Sequence, residues 1–181
     1  PGTGLFKAIP APEEQVHNGT SRPQILTMNV RFNVPFKIKN QQFRFSTSWR
    51  QQWAFNKLLQ RDRLSIGNRY TVRGYDGEYT LSGDNGFVSR TELGYTIPKI
   101  RQELYAAFDV GRVWGPHSDM LLGQTLSGMA LGLRGGFKRF NYDCFISRPV
   151  YKPYRYPGNR LVGGFSANMQ LLLCGVGGRF L

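Results

Sequence analysis

The chain has 181 residues, with 40% hydrophobic and 19% charged residues, 22 glycines and a formal net charge of +13. That apolar share excludes wholesale disorder, and no apolar run reaches the roughly 18 residues that a transmembrane helix needs. What remains is a β-rich chain with many turns, either a basic soluble protein or one that crosses a membrane with alternating strands.

The opening PGTGLFKAIPAPEEQ does not begin with Met and lacks the basic start and apolar stretch of a signal peptide. The expectation is a trimmed chain or a fragment, with a partial strand near 5–9. The first clear strand covers 26–36. Leu26, Met28, Val30, Phe32, Val34 and Phe36 alternate with Thr27, Asn29, Arg31, Asn33 and Pro35, which gives one greasy face. After a turn at Lys39-Asn40 the alternation resumes. Phe43, Phe45, Trp49, Trp53 and Phe55 share one parity, and Arg44, Ser46, Ser48, Arg50 and Gln52 the other, so the two segments predict a hairpin.

Residues 57–86 form a loop of about thirty residues, a length that usually carries function. It contains Val72-Arg73-Gly74-Tyr75. Gly74 permits a sharp turn or close backbone approach, and the planar guanidinium of Arg73 suits a carboxylate. Alone, the tetrapeptide is equally an ordinary turn.

Five more strands follow. Phe87, Leu93, Tyr95 and Ile97 oppose Arg90, Glu92 and Thr96. Leu104, Ala106, Phe108 and Val110 alternate with Tyr105, Ala107, Asp109 and Gly111. Met129, Leu131 and Leu133 alternate with Gly128, Ala130, Gly132 and Arg134. Phe140, Tyr142, Cys144 and Ile146 alternate with Asn141, Asp143 and Ser147. Phe165, Ala167, Met169 and Leu171 alternate with Ser166, Asn168 and Gln170. Alternation alone does not say whether the greasy face meets a core or lipid. Two features lean towards lipid. Several strands run to ten residues or more, beyond the soluble average, and the polar faces carry arginines among glycines, as a wet lumen would.

Nothing points to catalysis. His17 and His117 stand in expected loops, no nucleophile-elbow, zinc-protease or phosphate-loop motif occurs, and Cys144 and Cys174 match no metal spacing. No catalytic residue, metal ligand or cofactor is expected.

Ordered motifs around the long loop do carry a resemblance. Ser65-Ile66-Gly67, Thr71-Val72-Arg73-Gly74-Tyr75, Gly83-Asp84, Gly86 and Arg90-x-Glu92-Leu93 resemble the signature of the two-partner secretion transporters. These are the haemolysin secretion/activation proteins (ShlB/FhaC/HecB) of Gram-negative outer membranes. GTGLFKAIPAPEE, Asn33-Val34-Pro35-Phe36, Leu131-Gly132-Leu133-Arg134-Gly135-Gly136 and Arg148-Pro149-x-Tyr151-Lys152-Pro153 extend it. Residues 1–171 are similar to the C-terminal part of such a barrel.

The resemblance implies an antiparallel transmembrane β-barrel of about sixteen strands, of which about eight would be present here. It implies preceding periplasmic POTRA domains, of which no β-α segment is read in this chain. The loop 57–86 would fold into the lumen, and its Arg73 would pair with an Asp on a later strand, which maps to Asp109. Gly67, Gly83, Asp84, Gly86, Arg90 and Glu92 would support the motif. Parity independently puts Asp109 on the polar face. Three departures stand out. Ala107 replaces the family's aromatic or Gly, Asn68 replaces a second Gly, and the tail 172–181 continues no alternation and reads as a frameshift or read-through product. The implied partners are a secreted exoprotein client, outer-membrane lipid and the barrel assembly machinery, with no nucleic acid, and the implied location is the cell outer membrane. Arg31, Arg44, Arg50, Arg90 and Arg134 would line the path, or simply hydrate the wall and pair with Asp143 or Glu92. Two other readings stay open. One is a small self-contained outer-membrane barrel with a structural or adhesive role. The other is a soluble basic β-protein that binds nucleic acid by stacking, against which the aromatics mostly share the apolar parity.

Overall fold

The computed structural model describes residues 22–100, 102–116, 121–137, 140–154, 156 and 161–169. The partial strand expected near 5–9, the tail 172–181, His17, His117, Leu171 and Cys174 lie outside the described residues. Seven strands form one antiparallel sheet: β1 (Ile25–Ile38), β2 (Gln41–Ala54), β5 (Asn85–Ile97), β6 (Gln102–Trp114), β7 (Thr125–Phe137), β8 (Phe140–Tyr151) and β9 (Val162–Met169), adjacent in that order. They are the seven that period two predicts. Each of the first six runs 12 to 14 residues, longer than the roughly 9–11 that a tilted strand needs to cross a bilayer.

The β1–β2 hairpin closes on Lys39 and Asn40, with φ of 45° and 67°, the left-handed pair that two-residue hairpins demand. At this end β5 and β6 are separated by only 98–101, and β7 and β8 by only 138–139. The opposite end carries the long connections 55–84, 115–124 and 152–161. Membrane barrels show this asymmetry, with short turns inside and longer loops outside the cell.

Register keeps each parity together across the sheet. Val34, Phe45, Leu93, Ala106, Leu131, Ile146 and Gly163 follow one another from strand to strand on the apolar face. Asn33, Ser46, Glu92, Ala107, Ala130, Ser147 and Val162 do so on the other. Burial is inverted relative to a soluble sheet. Phe32, Phe45, Leu93, Leu104, Phe108, Leu131 and Phe165 are exposed, while Gln52, Asp109 and Ser147 are buried. The polar face curls enough that Arg31 of β1 and Ser166 of β9 line one cavity of about 440 Å³.

What buries the polar face is the long loop. It is more ordered than its sequence suggests. A 3-10 turn (Gln60–Asp62) precedes a two-stranded ribbon of β3 (Leu64–Ile66) and β4 (Leu81–Gly83), elements too short for periodicity to detect. Leu64, Ile66, Val72, Tyr75 and Leu81 from the loop pack with Val88, Val113 and Leu126 from the sheet and with Tyr156. Apolar burial of this kind is what drives a loop onto a wall.

Candidate functional site

The motif sits at the middle of this packing. Val72 is fully buried, and its Cγ2 would lie only 3.0 Å from a Cβ on Gly111. The next residue, Arg73, points into the polar face and is 3% exposed. Its Nε donates to Asp109 Oδ2 at 2.6 Å and its Nη2 to Asp109 Oδ1 at 2.7 Å. Its backbone N–H also donates to Oδ2, at 3.0 Å. A fork-to-fork pair with a third bond from the main chain fixes the loop in position as well as in charge. Arg73 Nη1 donates to Glu92 Oε1 at 2.6 Å, so one guanidinium serves two carboxylates. Burial works against the Arg73 charge, but Asp109 and then Glu92 outweigh it and hold the group protonated above its ordinary range.

Gly74 adopts φ +104°, and a Cβ there would lie 2.6 Å from the Arg148 carbonyl carbon. Both facts require glycine. The motif backbone is equally close to β7: a Cβ on Gly128 would come within 1.7 Å of the Arg73 carbonyl oxygen. Tyr75 closes the motif. Its hydroxyl donates to Tyr151 O at 2.7 Å and to Ser127 O at 3.2 Å, beside the β-bulge between Ser127 and Gly128. Its ring meets Tyr156 edge-on. Burial raises the Tyr75 hydroxyl above its ordinary range and pushes Tyr156 up to about 12, so both remain donors at neutral pH.

A charged chain continues across the wall. Arg134 bonds Glu92 and approaches Glu103 at 3.2 Å, and Glu103 in turn receives Arg44 at 2.5 Å. Arg134 lies 4.1 Å over the Tyr105 ring, and the Tyr105 hydroxyl donates to Asp143 at 2.7 Å. Arg90 donates to Tyr70 O at 3.2 Å, with its Nε 3.7 Å from Asp109. Opposite charges therefore alternate along the inner face, which lowers the cost of burying each one.

The remaining motif positions are placed as follows. Gly67 has φ +109°, with Tyr156 and Tyr79 O crowding it, and Gly83 and Gly86 lie against the β6 backbone at Trp114 and Arg112. Asp84 is buried 3.3 Å from Arg63. Asn68 needs no positive φ, since among the described residues only Lys39 and Asn40 are non-glycines there. Instead its Oδ1 accepts from Tyr70 N at 2.9 Å and Thr71 N at 3.1 Å, an Asx-type turn. Ala107 packs with Tyr105, Ala130 and Phe145. Of the expected wall arginines, Arg44, Arg90 and Arg134 join the network, and Arg31 lines the cavity.

The sequence pattern singles out neither Glu103, Arg63 nor Tyr156, and it gives Gly128 and Tyr105 a strand parity but no role. Tyr105 and Phe145 are aromatics at the polar parity, and each covers a cross-strand glycine. A Cβ on Gly132 would lie 2.3 Å from the Tyr105 ring, and one on Gly164 would lie 2.3 Å from the Phe145 ring. An aromatic at that parity facing a glycine on the next strand is a usable signal, but only once register is known.

Together the fold and this geometry define a wall of long antiparallel strands, apolar outside, with a motif loop fastened to its polar side. The model of the haemolysin secretion/activation protein ShlB/FhaC/HecB matches residues 1–135, and the chain belongs to that family. It is similar to outer membrane transporter CdiB-2 of Burkholderia pseudomallei (strain 1026b), 37% identical over 155 residues that cover 83% of this chain and 26% of that protein. The solved CdiB from Acinetobacter baumannii matches with a TM-score of 0.76 and 36% identity, over 82% of this chain and 27% of that one. CdiB from Escherichia coli, at 23% identity and TM-score 0.68 over 83% of this chain and 28% of that one, shares the fold. The chain spans about a quarter of the length of these relatives. Family members are transporters of the outer membrane and not enzymes.

Proposed function

We propose that this chain forms part of the wall of an outer-membrane translocator that exports a large partner exoprotein. In this reading residues 57–86 lie within the pore, and the pair Arg73–Asp109 latches them to the wall. The observation that carries the reading is the three-bond contact of Arg73 with Asp109, made from a loop that fills the polar side of strands whose other side is apolar. A loop threaded through a water-filled pore needs such an anchor. A charge-assisted bidentate pair in a confined site supplies on the order of 1.5–3 kcal/mol. The client passes extended and without ATP, and Arg31, Arg50 and Arg90 keep its path wet. Lipid surrounds the apolar face, and the barrel assembly machinery inserts the strands.

The test is export of the cognate exoprotein from cells carrying Arg73→Ala or Gly128→Ala in the full-length protein. Arg73→Ala removes the latch, and Gly128→Ala places a methyl group where the Arg73 carbonyl lies. Both variants are expected to reach the outer membrane as heat-modifiable barrels and to lose export at least tenfold. Wild-type export by both would sink the reading.

A further inference from the structure

The apolar face is not uniformly apolar. Arg148 of β8 lies on it, opposite Met129, and is exposed. Among the described residues no acidic group pairs with it. It is three residues from the end of β8 that carries the long connections. Beside it a groove of about 230 Å³ runs between Ala106, Met129, Leu131, Ile146 and Leu161. The groove continues past Leu131 and Ile146 into a second depression of about 550 Å³, walled by Leu104, Leu133, Cys144 and Phe165. The outer face is low here because two of its positions carry small residues, Ala106 on β6 and Gly163 on β9. From Arg148 to Cys144 the groove follows β8 for roughly 13 Å towards the short-turn end.

We infer that this groove binds one acyl chain of a phosphate-bearing lipid of the outer leaflet, with Arg148 on the phosphate. The inference rests on the outer-membrane reading above. Charge complementarity chooses the occupant. A guanidinium with no carboxylate partner among the described residues, at the long-loop end of an apolar groove, takes a phosphate well. The long-loop end is the outer one in barrels, so the headgroup lies at the outer surface and the chain points to the membrane centre. A neutral lipid would fill the channel and leave the guanidinium unpaired at the edge of the hydrocarbon.

The test uses the full-length protein purified in a neutral maltoside detergent, with lipid A as the probe and native mass spectrometry counting the lipids retained. Wild type is expected to keep one lipid A. Arg148→Gln, which removes charge from an exposed side chain, is expected to weaken retention about tenfold. Ala106→Phe, which fills the groove without touching the charge, is expected to weaken it similarly. Uncharged diacylglycerol should bind wild type and Arg148→Gln alike and weakly. No retained lipid A on wild type, or retention at the wild-type level by either variant, overturns the inference. Failure of the underlying reading looks different: the wild-type protein would then be monodisperse without any detergent.

Discussion

Phe108 and Asp109 are neighbours on β6, yet the phenylalanine is 49% exposed and the aspartate 1%. The same inversion marks β6 and β7, where Leu104, Phe108, Met129 and Leu131 are exposed and Tyr105, Ala107, Asp109 and Ala130 are buried. On the outer side, aromatic and aliphatic residues stand open. On the inner side, carboxylates and guanidinia are sealed beneath a loop. A soluble sheet would place them the other way round. The difference teaches that the two faces were selected for different solvents. The outer one suits hydrocarbon, and the inner one suits water and a charged loop. The loop core is built from its own Leu64, Ile66, Val72 and Leu81, so hydrophobic burial happens on the polar side, where the sequence of the strands alone would not put it.

The contrast can be broken most sharply at the ion pair. Removing one partner of a buried pair strands the other charge, so Arg73→Ala and Asp109→Ala should each cost about 3–5 kcal/mol of stability. If the two form one unit, the double variant should cost little more than either single change. Chemical unfolding of the four proteins in detergent measures this, and additive losses would show that Arg73 and Asp109 act independently. A charge on the opposite face tests the other half. Phe108 is the central residue of β6, and Phe108→Arg should destabilise the protein in lipid vesicles by about 2–4 kcal/mol, the cost at a bilayer midplane. Unchanged folding into vesicles would remove lipid from that face. The smallest effect is expected at Tyr75→Phe, which loses the donation to Tyr151 O and Ser127 O. A loss of about 0.5–1.5 kcal/mol is expected. It should appear as faster protease nicking within 57–86 and leave strand protection unchanged.

Two independent lines in the sequence lead to Asp109: the motif resemblance and the parity of β6. Glu92 and Arg90 enter as motif residues, and their parity puts them on the polar side, where Glu92 meets Arg73 and Arg90 lies near Asp109. Glu103 and Tyr105 were not assigned roles, because neither belongs to a motif and their partners sit on other strands. Glu103 meets Arg44 across 59 positions, and Tyr105 meets Asp143 across 38. The short ribbon of β3 and β4 was missed because three-residue strands carry no readable period.

The amino-acid order by itself determined the seven strands, the parity of the residues within their alternating stretches and the hairpin at Lys39-Asn40. Period two and turn chemistry are local properties, written in neighbouring residues. Only the tertiary structure decided that Arg73 meets Asp109 and Glu92 together, that Gly128 yields to the Arg73 carbonyl, and that Arg148 lies beside an apolar groove. Those facts depend on register and on how a thirty-residue loop settles against a curved wall. Both are set by the packing of residues far apart in the chain.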